Sequence, residues 1–242
     1  MVLHHGFAAS TELNWVAPGV LPALTAAGRW VLSIDARGHG GSDKPRDPSR
    51  YGEARMARDL VELLDREDVG AYDLAGYSMG AIVSLLVAAS DARVRRLVLG
   101  GIGAGAVELG GVDQRALAPA AIVAALETED PASIPEPMAR EFRMFAEGTG
   151  ADRAALAAQA RAVHASPIAF ERIQAQALVL AGGEDPLAVR PEVLAGALRG
   201  ARVETVRGDH LRALFDPRFT ASLVEFLSSD AATPRGTAPG RP

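Results

Sequence analysis

The sequence predicts an α/β fold with a mostly parallel sheet flanked by helices, and three observations carry that prediction. Short β-rich runs alternate with longer helical patterns, the alternation begins at the first residues, and a nearly all-apolar helix follows directly on an apolar strand between positions 71 and 89. Strands are predicted at 1–5, 30–35, 71–76, 94–100, 177–181 and 202–206. A helix over 15–27 is closed by Gly28, and an amphipathic helix over 54–65 carries Met56, Leu60, Leu63 and Leu64 at helical spacing. The buried helix spans 79–89, and two further helices cover 191–198 and 217–227. Residues 101–176 break the alternation with helical patterns and no convincing strand, which predicts a lid-sized helical insertion. Met138, Phe142, Met144 and Phe145 cluster there, as the core side of a helix or the wall of an apolar pocket. The expected organisation is one domain over 1–230, with the insertion at about 101–176 and a Pro- and Gly-rich disordered tail over 231–242.

Composition excludes several classes of function. The 242 residues suffice for a core without disulfides. The net charge of −5, from 25 Lys and Arg against 30 Asp and Glu, offers no broad basic surface for nucleic acid. With no Cys there is no thiol nucleophile, thiolate metal site or disulfide. The longest apolar run, AIVSLLVAA at 81–89, is about half the ~20 residues of a membrane span, and no basic segment leads into an apolar one at the start. These features predict a soluble, cytoplasmic protein.

The chemistry centres on GYSMG at 76–80. A strand runs into it, a helix runs out, and glycine stands two places either side of Ser78, where a turn this tight would crowd a Cβ. Such a turn lifts the serine hydroxyl clear of the backbone at the carboxyl end of a central strand. A serine needs a base to take its proton. His210, in GDHL after the last strand, is the candidate; His4, His5, His39 and His164 read as structural. The imidazole in turn needs an acid on its other nitrogen. GGEDP at 182–186 supplies two at the same sheet edge, and Asp185 is preferred to Glu184 because it precedes Pro186, which holds its backbone extended.

In chain order, HHGF (4–7), DARGHGGS (35–42), GYSMG (76–80), GGEDP (182–186) and GDH (208–210) resemble an α/β-hydrolase of the esterase and lipase group over nearly the whole chain. The resemblance implies Ser78 as nucleophile, Asp185 as acid, His210 as base, and the backbone N–H groups of Phe7 and Met79 as an oxyanion hole. His5 and Gly6 would shape the Phe7 loop, and the turn with Gly38, Gly40 and Gly41 would lie beside the pocket. The implied activity is hydrolysis of a small carboxylic ester or lactone through an acyl-enzyme, with an ester-like small molecule as partner and no cofactor or metal. Two alternatives stay open: a ligand-sensing protein of this fold with slow or no turnover, and a C–C bond hydrolase using the same residues.

Two further readings complete the sequence. Gly101-x-Gly103-x-x-Ala106 fits a permissive dinucleotide fingerprint, but the second strand and the acid that such a unit needs do not follow it. The family usually carries two strands before the one ending in HG; here Met1 falls inside that strand, so either the fold is shortened or the true start lies further upstream. The strand at 30–35 is then expected to lie outside the strand at 1–5 as an open edge. Such an edge predicts a homodimer, aggregation or lowered stability.

Overall fold

The computed structural model describes residues 1–228. Six strands form one parallel sheet: β1 (Val2–His4), β2 (Leu32–Ile34), β3 (Tyr72–Tyr77), β4 (Val94–Gly100), β5 (Gln176–Gly182) and β6 (Arg202–Val206), in the order β2-β1-β3-β4-β5-β6. The chain steps from β1 outward to β2 and then returns to the other side of β1 for β3. That reversal makes β1 and β3 the topological switch point, where parallel sheets open a crevice beyond the carboxyl ends of their strands. The register aligns those ends: His4 lies beside Gly76, Tyr77 beside Gly100, and Gly182 beside Val206. Every loop that carries a predicted site residue therefore leaves from one edge.

Alternation along the strands divides the core in two. Val2, Leu74, Leu97, Leu99 and Val179 point to one face, against α2 (Glu53–Arg66), α3 (Met79–Ala88) and α8 (Pro191–Ala197). Leu3, Ala75, Val98, Leu178 and Leu180 point to the other, against α1 (Val20–Ala26) and α9 (Pro217–Ser228). Because both faces are covered, β3, β4 and β5 run without a charged residue from Leu74, Leu97 and Ala177 onward rather than alternating apolar and polar, and Asp73, Arg95 and Arg96 stand toward the amino ends. The 14-residue α2 shows Met56, Leu60 and Leu64 to the core and its charges other than the buried Glu53 away from it, whereas α3 is sheathed on nearly all sides and carries no charge.

Residues 101–175 contain α4 (Ala104–Glu108), α5 (Pro119–Glu127), α6 (Pro137–Gly148) and α7 (Arg153–Ala160), and no strand. These helices pack partly on one another and partly on the sheet-edge loops. Ala8 joins a cluster with Leu126, Ala146 and Leu156, and Leu187 joins one with Leu117, Ile134 and Ala139. The helix expected over 15–27 is divided: a short π-type turn spans Glu12–Val16, and α1 starts only at Val20. Pro18 has no N–H to continue the ladder, and Gly19 takes φ 86°, a left-handed conformation that a helix does not pass through. β2 pairs with β1 alone among the described strands, and Trp30 beside it is 65% exposed. The tail expected over 231–242 lies outside the described residues.

Leu97 is fully buried on the central strand β4. Leu97→Ala should lower the free energy of unfolding by about 2–5 kcal/mol, read from urea titration, because a rigid sheet-helix interface cannot collapse onto the vacated volume.

Candidate active site

The site is built on the turn from β3 into α3. Ser78 has φ 54° and ψ −116°, a backbone conformation that costs a non-glycine residue about 1–3 kcal/mol. Its neighbours hold it there. The Ser78 N–H donates to the carbonyl of Gly100 at 2.8 Å, and the Ser78 carbonyl accepts from the N–H groups of Ala81 and Ile82. A Cβ on Gly76 would lie 2.1 Å from the carbonyl oxygen of Gly80, and one on Gly80 would lie 2.1 Å from that of His4. Only glycine fits either place.

The structure brings Ser78, His210 and Asp185 into one buried relay. The Ser78 hydroxyl and His210 Nε2 are 2.8 Å apart, and His210 Nδ1 lies 2.8 Å from Asp185 Oδ2. With a carboxylate on one side, the imidazole carries its proton on Nδ1 and presents the Nε2 lone pair to the hydroxyl. The other Asp185 oxygen accepts from the Leu187 N–H at 2.8 Å, so the carboxylate is held at both ends. Glu184 points to solvent. Two loops had to meet for this contact. The Gly183 N–H donates to the Val206 carbonyl and the Glu184 N–H to that of Gly208, while a Cβ on Gly182 would strike the Gly208 carbonyl oxygen at 2.4 Å.

Sequence reasoning missed the part of Tyr77, although it adjoins the serine. Its hydroxyl donates to the His210 carbonyl at 2.7 Å, pinning the loop that carries the imidazole. Burial raises its phenol well above the ordinary range, so it remains a donor.

Phe7 and Met79 both line a cavity beside Ser78. Among the described residues, no group accepts a hydrogen bond from the N–H of either. The loop that carries Phe7 is clamped. The Gly6 N–H donates to Asn14 Oδ1 at 2.8 Å, and a Cβ on Gly6 would stand 3.4 Å from that of Ser78. His5 accepts from the Ala36 N–H at Nε2 and so donates from Nδ1 to the Gly6 carbonyl at 2.7 Å. Burial pushes His5 well below its usual range and His4 and His39 to about 4, so all three are neutral near pH 7. The turn with Gly38, Gly40 and Gly41 lines neither cavity at Ser78. It reaches the site at one remove, through the His39 ring 5.9 Å from that of Phe7.

Two cavities meet at Ser78, Phe7 and Phe142. One, of about 70 Å³, adds Met79, Val112, Leu117, Ile122 and Leu187, with Glu53, Gln114 and His164 as further polar groups. The other, of about 90 Å³, adds Tyr77, His210, Leu214 and Phe215. A larger groove of about 820 Å³ lies open against β2, lined by Asp35, Arg37, Lys44 and Asp59, and reaches none of the relay residues. The smaller cavities, not this groove, adjoin the reactive groups. Of the four apolar residues singled out in the insertion, Phe142 lines both small cavities and Phe145 one, Met138 packs among the helices, and Met144 is exposed. No helix among the described residues is long and apolar enough to cross a membrane.

A hydroxyl relayed to a carboxylate, with two free N–H groups beside it, is an arrangement for acyl transfer. Comparison with known proteins agrees in fold. The sequence profile of the alpha/beta hydrolase fold matches residues 1–119. A hydrolase from Pseudomonas aeruginosa PA01 of known crystal structure is 30% identical with a TM-score of 0.75, over 94% of this chain and 89% of that one. The enol-lactonase from Burkholderia xenovorans LB400 is 25% identical with a TM-score of 0.74, over 93% and 90%. The chain belongs to the α/β-hydrolase fold family. Among curated sequences, Epoxide hydrolase A of Mycobacterium tuberculosis is 42% identical over 85 residues, 34% of this chain and 25% of that protein. Esterase YbfF of Escherichia coli is 37% identical over 100 residues, 40% of this chain and 36% of that protein. The matched segment thus spans about a quarter to a third of the curated relatives' length.

Glu53 is buried at the wall of the 70 Å³ cavity, and loss of solvation raises its carboxyl from 4.5 to about 7. A raised acid stabilises the fold fully below its unfolded value and ceases to as pH rises through the folded one. Wild type should therefore lose about 3 kcal/mol relative to Glu53→Gln between pH 4.5 and pH 8, in urea titrations at the two values. An unchanged difference would show that Glu53 ionises normally.

Proposed function

We propose that this protein is a serine hydrolase that cleaves a small carboxylic ester or lactone through an acyl-enzyme on Ser78. The observation that carries the reading is the continuous relay from the Ser78 hydroxyl through His210 to Asp185, with both contacts at 2.8 Å. In this reading Ser78 Oγ attacks the substrate carbonyl carbon as its proton passes to His210 Nε2, and Asp185 stabilises the imidazolium. The oxyanion is held by the N–H groups of Phe7 and Met79. Collapse breaks the bond to the leaving oxygen, which takes the proton from Nε2. Water then attacks the acyl-enzyme with His210 again as base, releasing the carboxylic acid and restoring the serine.

Proton delivery assigns the two cavities. The leaving alcohol must lie against His210, so the 90 Å³ cavity that contains this ring receives it. The 70 Å³ cavity, walled by Met79 and lacking His210, receives the acyl group. Helices α5 and α7 cover the acyl cavity, α6 reaches both, and Phe142 of α6 stands where the cavities meet. Relatives include an epoxide hydrolase, an esterase and an enol-lactonase. Chemistry favours the last two: a serine opening an epoxide would be left as an ether, which water does not cleave, whereas an acyl-serine is an ester that the same relay hydrolyses.

Ser78→Ala should lower kcat on a p-nitrophenyl ester by about 10⁴ to 10⁶-fold with Tm nearly unchanged. A fluorophosphonate should add mass at Ser78; single-turnover product release would mark a sensor instead. Unimpaired turnover in the variant overturns the reading. Asp185→Asn should cost about 10⁴-fold, while Glu184→Gln, altering an exposed side chain, should cost little in the same assay.

A further inference from the structure

The cavity assigned to the acyl group is not lined only by apolar side chains. Val112, Leu117, Ile122 and Leu187 make it greasy, yet Glu53, 3% exposed, stands in its wall. The first residue of α2 is an expensive place to bury a carboxyl, because no Lys or Arg among the described residues forms an ion pair with it. Its hydrogen-bond partners are donors: Oε2 accepts from the His164 N–H at 2.6 Å, and its own N–H also faces the carboxyl. Both satisfy acceptor sites. Neither can receive the proton that a buried carboxyl without a counter-charge retains, and near-neutral ionisation is consistent with its keeping that proton in much of the population. His164 lines the same cavity, and its Nε2 is buried with no partner among the described residues.

We propose that Glu53 is a specificity-determining residue, whose carboxylic O–H donates to an acceptor oxygen in the acyl chain of the substrate. The preferred substrates are then short esters or lactones whose acyl part carries an ether, hydroxyl or carbonyl oxygen beyond the reacting carbonyl. This rests on the assignment of the acyl group to the 70 Å³ cavity and deepens it. A plain alkyl chain filling that space would strip water from the carboxyl and leave its donor unspent, whereas an oxygen at the right depth replaces the lost water. A polar group built into an apolar pocket discriminates far more steeply than a change of one methylene.

The test uses isosteres. p-Nitrophenyl pentanoate is compared with its 3-oxa and 4-oxa analogues, ethoxyacetate and 3-methoxypropanoate, each rate divided by its hydroxide-catalysed rate. Wild type should favour at least one oxa ester by about 10-fold or more in kcat/KM. Glu53→Met, similar in size but without a donor, should bring that ratio within about 2-fold of unity, and Glu53→Gln, whose amide still donates, should retain part of it. A wild-type ratio near one, or a ratio unchanged in Glu53→Met, overturns the proposal; a purely structural role would change yield or Tm but not the ratio. If the Met variant does not fold, the wild-type and Gln ratios decide. Should wild type turn over none of the esters, the hydrolase reading fails separately. Calorimetry of Ser78→Ala with pentanamide and its oxa analogues then tests the cavity alone: tighter binding of an oxa amide supports the role of Glu53, and equal binding overturns it.

Discussion

Ser78 occupies a backbone conformation that a serine does not adopt unaided, and the site follows from what holds it there. The carbonyls of His4 and His5 pass through the space where a side chain on Gly80 would stand. β1 can come that close only because the residue is glycine, and it must come that close because it is the sheet neighbour of β3. The nucleophile turn and the Phe7 loop are therefore one packed unit. Shape at Gly80 becomes position at the Phe7 N–H, and the strain at Ser78 is balanced by α3 and β4, whose backbone groups bond to it on both sides.

Around this unit the protein buries His4, His5, His39, Tyr77 and His210, and their chemistry is separated by what each ring faces. His4, His5 and His39 have Nδ1 against backbone carbonyls at 3.2, 2.7 and 2.9 Å and stay neutral through burial. Tyr77 stays protonated and spends its donor on the loop of His210. His210 alone among these faces a carboxylate on one nitrogen and a serine hydroxyl on the other. A charge arising on its ring therefore has a partner in place, and one on the other rings would not.

The helices between β4 and β5 supply part of the wall of both small cavities. The carboxyl ends of the strands provide reactive groups on one edge, but an open edge would leave them in water, where hydrogen bonds and charges are weakly felt. α5, α6 and α7 pack down on the loops after β1 and β5 through Ala8 and Leu187, and Phe142 lines both cavities with Ser78 and stands 6.3 Å from the His210 ring. The same packing confines Glu53 at a cavity wall, far in sequence from the serine.

By itself the sequence determined the strand and helix alternation, the turn at 76–80, the order of serine, acid and histidine along the chain, and the stretch without strands. These are local: period-two and period-3.6 patterns and glycine spacing are set by backbone sterics within a few residues. The interruption at Pro18 and Gly19 was also local, and the apolar pattern running across it concealed it. Tertiary structure decided the rest. Glu184 and Asp185 are adjacent and chemically alike, and only the meeting of the loops after β5 and β6 turns one toward His210 and the other to water. The part of Tyr77 depends on a carbonyl 133 positions away, and the presence of Glu53 in the cavity depends on a loop 111 positions away. No local pattern encodes such contacts, because they exist only once separate elements have packed.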